Sequence, residues 1–305
     1  MLRLRPPADN TMSLPIDCRR LVLPFLTALV LAGCGGGDRI VVASKNFTEQ
    51  VILGEILAQH IENRMGMEVD RKLNLGGTLV AHQALLSGSV DLYPEYTGTA
   101  LMAILDLPPE SNPQEVFDTV SKDYQQEFQV QWLPPLGFND SFAMVIPGKI
   151  ARENQLETLS DATKYPSGWT LGVGYEFETR PDGLPALERG YDLKWDGAPK
   201  TMDLGLIYAA LEDGQVTMVS ANSTDGMLSK LDVKVLEDDK HAFPPYQASV
   251  VVRDDTLAKY PELRDFLLEL SGTLDEKTMQ ALNYQVDGEH RTAAEVAADF
   301  LASLP

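Results

Sequence analysis

The sequence predicts an α/β protein built on mostly parallel sheets, large enough for two lobes. Short apolar strands alternate with helices along most of the chain, which is the pattern of strand–helix–strand units. Once an N-terminal leader is set aside, about 270 residues remain, more than one compact core usually holds. With only two cysteines in 305 residues, both at or before position 34, no disulfide framework is available and packing must carry the fold.

The leader reads first. Arg19-Arg20 precede an apolar run at 21–31, too short to span a bilayer, which closes on Leu31-Ala32-Gly33-Cys34. This is the pattern of a lipoprotein signal peptide over 1–33, with Cys34 as the lipid acceptor and Met12 an alternative start. Gly35-Gly36-Gly37 then makes a flexible tether over 34–38.

Ile40-Val41-Val42-Ala43 reads as a buried strand, followed by a helix over 48–65 with Gly66 as its stop. A strand near 69–75 leads through Gly76-Gly77-Thr78 into a helix that ends at Gly88. Val90-Asp91-Leu92 is strand again, Pro94 suggests a helix start with helix over 95–105, and a polar helix follows over 113–128. Phe142-Ala143-Met144-Val145-Ile146 is a strand that leaves the first set of units. The second set has strands at 170–173, 216–220 and 233–236, with helices at 185–189 and 203–211. Ala248-Ser249-Val250-Val251-Val252 resembles Phe142 to Ile146 and is the expected returning connection, before helices at 261–271, 274–286 and 292–304. Two sequential domains divided near 147 fit the same pattern.

Composition narrows the function. A formal charge of −20 repels phosphate backbones, which argues against nucleic-acid partners. His60, His82, His241 and His290 are scattered without the spacing of metal ligands, and no metal site or cofactor is expected. There is no P-loop and no G-x-S-x-G elbow, and Gly172-Val173-Gly174 lacks the third glycine of a dinucleotide fingerprint.

Five strings remain. They are Ser44-Lys45-Asn46-Phe47-Thr48-Glu49-Gln50, Tyr93-Pro94-Glu95-Tyr96-Thr97-Gly98-Thr99, Leu136-Gly137-Phe138-Asn139-Asp140-Ser141-Phe142-Ala143, Ser223-Thr224-Asp225-Gly226 and Phe243-Pro244-Pro245-Tyr246-Gln247-Ala248. Lys45 ends a strand and precedes a helix, where open α/β sheets bind ligands and where a carboxylate meets an ammonium and helix N-terminal amides. The same string also reads as a solvated lysine at a helix start. Tyr96 and Thr99, three apart on the expected helix, share a face, although a tyrosine packed on the sheet fits as well. Arg180, followed by Pro181-Asp182-Gly183, reads by itself as a surface turn with a local ion pair.

Taken together and in this order, the strings resemble the glycine betaine/carnitine/choline-binding subunits of osmoprotectant ABC importers. The resemblance implies a two-lobed periplasmic-binding-protein fold of type II, with two crossover strands. It implies lobe I at 39–140 plus 247–305 and lobe II at 141–246, closing on a small zwitterionic or cationic ligand. It implies an ABC permease as partner, a membrane reached through the lipid anchor, no cofactor and no enzymatic activity. Such receptors hold a quaternary ammonium, which has no N–H to donate, against π faces and carbonyl dipoles. By position, Tyr96, Phe142 and Tyr246 are the implied rings and the Asp140 carbonyl an implied dipole, while Lys45, Thr99 and Arg180 hold the carboxylate of a betaine.

The chain departs from that pattern at two positions, with Phe142 and Asn222 where a tyrosine is usual. Phenylalanine keeps the face; asparagine removes one and offers an amide instead. Losing one cation–π contact of about 0.5–2 kcal/mol weakens a trimethylammonium ligand by roughly twofold to thirtyfold. Tyr93, Tyr175 or Tyr208 are candidates to fill the gap. A different betaine such as ergothioneine, or a cationic amine, stays open as ligand. An enzyme on the same scaffold is the remaining alternative, with Glu95 and Asp225 the nearest acid–base candidates.

Overall fold

The computed structural model describes residues 39–304; the leader, Cys34 and the tether lie outside them. The chain opens with β1 (Ile40–Ala43), α1 (Thr48–Met65), β2 (Val69–Lys72), α2 (Thr78–Leu86) and β3 (Leu92–Tyr96). β4 (Val130–Trp132) follows a helix at Pro113–Phe128. A second series contains β5 (Phe142–Pro147), β6 (Leu171–Val173), β7 (Lys200–Thr201), β8 (Met218–Asn222) and β9 (Val233–Leu236). β10 (Ala248–Arg253) precedes the C-terminal helices, the longest of which are Glu276–Asp287 and Ala293–Ser303.

Two five-stranded sheets result, in orders β2-β1-β3-β10-β4 and β7-β6-β8-β5-β9. The first takes strands from 40–132 and then recovers β10 from beyond the second. Each sheet carries one strand against the rest: β10 runs antiparallel to β3 and β4, and β5 to β8 and β9. These reversed strands are the two apolar runs that look alike in the sequence.

Local chemistry explains the better-defined elements. α1 ends at Gly66, whose φ of 65° is open to glycine without strain and lets its N–H bond the Glu62 carbonyl. The helix at Pro113–Phe128 starts on the Asn112 side chain, which accepts from the Gln114 N–H, with proline in its first turn. Leu92 and Tyr93, adjacent in β3, enter cores on opposite sides of the first sheet, so the strand is apolar throughout rather than alternating.

One expected helix is a strand. The segment Pro94-Glu95-Tyr96 belongs to β3 and helix begins only at Thr97. β10 pairs with β3 from Leu92 to Tyr96, and β1 meets it at the single pair Val42↔Leu92. The amide hydrogen that Pro94 lacks is therefore not one the β1 pairing needs, and the proline is tolerated. β8 runs two residues later than its apolar pattern suggests, which puts Asn222 on the strand end opposite Phe142. The stretch expected as one helix at 203–211 is a 3₁₀ turn at Leu204–Leu206 followed by an α-helix at Ile207–Glu212.

Candidate functional site

The carboxyl ends of β1, β3, β6 and β8 converge, together with the start of β5 and the approach to β10, on a cavity of about 100 Å³. All eight residues singled out in the sequence line it. Lys45 leaves β1 and Tyr96 ends β3, with Thr99 one helical turn beyond. Phe142 and Asn222 face each other across the β5–β8 pair. Asp140, Arg180 and Tyr246 complete the set. Phe47, Phe177, Glu176, Asp203 and Leu204 also line it; sequence reasoning gives these no role, Phe47 although it stands in the Lys45 string, and the other four because they sit in polar or mixed segments with no motif of their own.

The rings form two groups. Phe142 meets Tyr246 edge to face at 5.6 Å between centroids, and meets Phe177 at 4.9 Å and Phe243 at 5.6 Å in the same manner. On the other wall Phe47 stacks on Tyr96 at 6.3 Å. Tyr246 is seated by the Thr97-Gly98 segment. Thr97 Oγ1 donates to the Pro245 carbonyl (3.1 Å) and accepts from Gln247 N–H (3.0 Å), and Asn139 Oδ1 accepts from Tyr246 N–H at 2.6 Å. A Cβ on Gly98 would lie 2.7 Å from the Pro245 oxygen and 2.8 Å from the Tyr246 ring, so a side chain there would unseat the ring. Of the other tyrosines, Tyr175 lines the cavity while remaining 66% exposed. Tyr208 faces a neighbouring chamber, and Tyr93 is buried behind the wall, its hydroxyl donating to Glu95 Oε2 at 3.0 Å.

The basic groups are already paired. Lys45 forms an ion pair with fully buried Glu95 and donates to Thr78 Oγ1 at 3.3 Å. Its Nζ stands 5.1 Å from the Tyr96 ring centroid. Arg180 forms a two-point pair with fully buried Asp182, with Nε at 2.9 Å from Oδ1, and donates to Thr99 Oγ1 at 2.9 Å. Its guanidinium lies 5.3 Å from the Phe142 ring. Burial works against the Arg180 charge, but Asp182 outweighs it and keeps the pKa above the ordinary value. The local ion pair that the sequence suggested at Arg180 is therefore present, but inside the cavity wall rather than on a surface turn.

Beneath the aromatic floor is a carboxyl cluster. Glu49 accepts from Tyr96 OH (2.6 Å), Thr224 Oγ1 (2.5 Å) and Asn283 Nδ2 (3.1 Å). Burial pushes its pKa up against those donors. Burial, with Glu49 and Asp225 nearby, raises Asp140 well above the carboxylate range. Asp225 is pushed up to about 7, chiefly by burial, while Asn222 N–H and Tyr208 OH donate to it.

The two sheets are tied across this cavity. Thr224 bonds Glu49, and Asn283 and Gln280 donate to the carbonyls of Thr224 and Ser223 at 3.0 and 2.8 Å. Thr78 N–H donates to Glu176 at 2.6 Å, and Tyr246 OH to Asp182 at 2.8 Å. Of the two acid–base candidates, Glu95 is held by Lys45, Tyr93 and the Tyr96 N–H behind the cavity, and Asp225 faces the neighbouring chamber. Among the described residues no group of histidine, cysteine and carboxylate side chains is arranged to hold a metal.

Comparison with known proteins identifies the family. Residues 38–303 match the profile of a family described as the substrate binding domain of ABC-type glycine betaine transport systems. The chain is 35% identical over 281 residues to the carnitine transport binding protein OpuCC of Listeria monocytogenes, covering 91% of each. It is 36% identical over 266 residues to an ergothioneine transport permease/ergothioneine binding protein, EgtU, of Helicobacter pylori (strain G27), covering 87% of this chain and 47% of that one. A crystal structure of a glycine betaine/carnitine/choline ABC transporter superposes with a TM-score of 0.71 at 30% identity, over 86% of this chain and 97% of the other.

Proposed function

Since this chain belongs to the family of substrate-binding domains of ABC-type glycine betaine transport systems, we propose that it captures a compact quaternary-ammonium or betaine osmoprotectant between two lobes and hands it to a permease. It is an α/β protein of the type II periplasmic-binding class and the extracytoplasmic receptor of an ABC importer, a transport role rather than a catalytic one. Lobe I comprises 39–140 and 247–305, and lobe II comprises 141–246. Cys34 carries the lipid that holds the receptor at the membrane, with the glycine tether as spacer.

The observation that carries this reading is the convergence of all eight sequence-selected residues on one small cavity. Tyr96, Phe142 and Tyr246 supply faces for a head group that cannot donate a hydrogen bond. Lys45, Thr99 and Arg180 meet an anionic tail, their own charges held in place by Glu95 and Asp182. Groups from both lobes reach the ligand together only when the lobes are shut, so binding favours the closed form.

Calorimetric titration with glycine betaine, choline and carnitine tests the assignment. Saturable binding of at least one is expected, and absence of heat with all three refutes the osmoprotectant reading. A second reading, an ergothioneine-type betaine, is favoured by Asn222, whose amide stands where a ring would otherwise complete the cage; ergothioneine in the same titration tests it.

A further inference from the structure

The helix α2 starts without a side-chain cap of its own. Its start is met instead by Glu176, from the short helix Tyr175–Thr179 that follows β6. Glu176 Oε1 accepts from Thr78 N–H at 2.6 Å, and Oε2 accepts from Thr78 Oγ1 at 3.1 Å and Arg180 Nη1 at 3.4 Å. A helix start beside a guanidinium is a place where a carboxylate is well held. Here the chain supplies that carboxylate itself, in the wall of the ligand cavity. Gly77 makes the room for it: a Cβ there would lie 2.4 Å from Glu176 Oε1.

The neighbouring cations have little left to offer a second anion. The five N–H groups of Arg180 face five acceptors. Nε and Nη2 meet the two Asp182 oxygens, Nη2 also meets Thr99 Oγ1, and Nη1 meets Glu176 Oε2 and Thr78 Oγ1, the last at 3.4 Å. With Lys45 matched by buried Glu95 and Arg180 by buried Asp182, the charge of Glu176 is surplus at the cavity wall. A carboxylate has about four lone-pair sites, and Glu176 receives three donors, so it can accept one more O–H.

We infer that Glu176 is a specificity-determining residue that stands in for a ligand carboxylate, so that the closed site favours a cationic quaternary ammonium bearing a hydroxyl, of the choline type, over a zwitterionic betaine. This rests on the quaternary-ammonium reading of the cage and specifies which member of that class it prefers. The alcohol donates to the seated Glu176. A betaine has to displace Glu176 from Thr78 and Arg180, and its own carboxylate meets a like charge in doing so.

Calorimetric titration of the parent, Glu176→Gln and Gly77→Ala with choline and with glycine betaine reads the ratio of the two dissociation constants. The parent should bind choline more tightly. Glu176→Gln removes the charge but keeps an oxygen for Thr78 N–H. Gly77→Ala keeps the charge and pushes it off the helix start, at a φ of −75° that alanine adopts freely. Both should shift the ratio toward glycine betaine, Glu176→Gln by about tenfold or more, because a like charge in a partly buried site repels the ligand's carboxylate. A residue that only tied the two sheets together would weaken both ligands alike and leave the ratio unmoved. A parent that prefers glycine betaine, or a ratio unchanged in Glu176→Gln, overturns the inference while the cage stands. If neither ligand binds any of the three proteins, the quaternary-ammonium reading falls with it.

Discussion

Replacing Asp225 by asparagine should stabilise this protein, and by more at neutral pH than in mild acid. The Asp225 carboxyl stands at about 7 in the folded chain against an ordinary value of 3.8, burial being the main cause. Between those two values the folded state keeps a proton that the unfolded chain has lost. Stability therefore falls as pH rises through this window, and the penalty is fully present above it. Integrating from about pH 5.5 to about pH 7.5, at 1.36 kcal/mol per unit, gives about 2 kcal/mol. Asp225 keeps part of its surface open to the chamber, so solvent screening makes that an upper figure. One oxygen, Oδ2, accepts from both Tyr208 OH (2.8 Å) and Asn222 N–H (3.1 Å), and an amide oxygen can keep both bonds without ever ionising. His82, whose pKa burial lowers, works in the opposite direction but is common to both proteins and cancels in their difference. Thermal unfolding of the two proteins at both pH values is the assay. At about 2–4 °C per kcal/mol for a chain approaching this size, the melting advantage of the variant should be larger at pH 7.5 than at pH 5.5 by up to roughly 4–8 °C. A variant less stable than its parent at pH 7.5, or a gap that does not shrink on acidification, would refute the burial argument.

Two further outcomes follow from the same geometry. Arg180→Met removes the cation beside Asp182, which is fully buried and keeps only the Tyr246 hydroxyl as a cross-cavity donor; a stability loss of about 3–5 kcal/mol by urea denaturation is expected, and a loss below about 1 kcal/mol would mean the acid finds water. Gly226→Ala would place a Cβ 2.3 Å from the Tyr284 nitrogen and 2.5 Å from its Cα, atoms of backbone on the opposite side of the cleft; betaine affinity should drop about tenfold or more, and small-angle scattering should show a more open particle that no longer contracts with ligand. An alanine variant that closes and binds like its parent would place the contact outside the closing motion.

Where a segment's structure depends on its own residues, the sequence was legible. α1 and the helix at Pro113–Phe128 follow from apolar spacing and terminal chemistry, Gly66 at one end and Asn112-Pro113 at the other. The helices at Gly148–Asn154 and Leu159–Ala162 and the strand β4 gave no signal, because elements of three to seven residues carry too few turns of either period to stand out. Pro94 to Tyr96 was misread for a different reason. Proline before a glutamate resembles a helix start, and the pairing with β10 that holds those residues extended comes from about 150 positions later.

The site divides in the same way. Lys45, Tyr96, Thr99, Asp140, Phe142 and Tyr246 stand in short strings that resemble a known family, while Arg180 and Asn222 lie outside those strings and were implied by the resemblance alone. The α/β class and the absence of a disulfide framework likewise rest on composition and local order. What neutralises Lys45 was not readable, as Glu95 lies 50 residues away. Nor was the acidic chamber, whose carboxyls come from segments as distant as 49 and 287 and acquire their character only through shared burial. Periodicity and capping act over a few residues, so the chain determines them by itself. Desolvation and charge pairing act through space, so only the packing of the two sheets decides which acid meets which base.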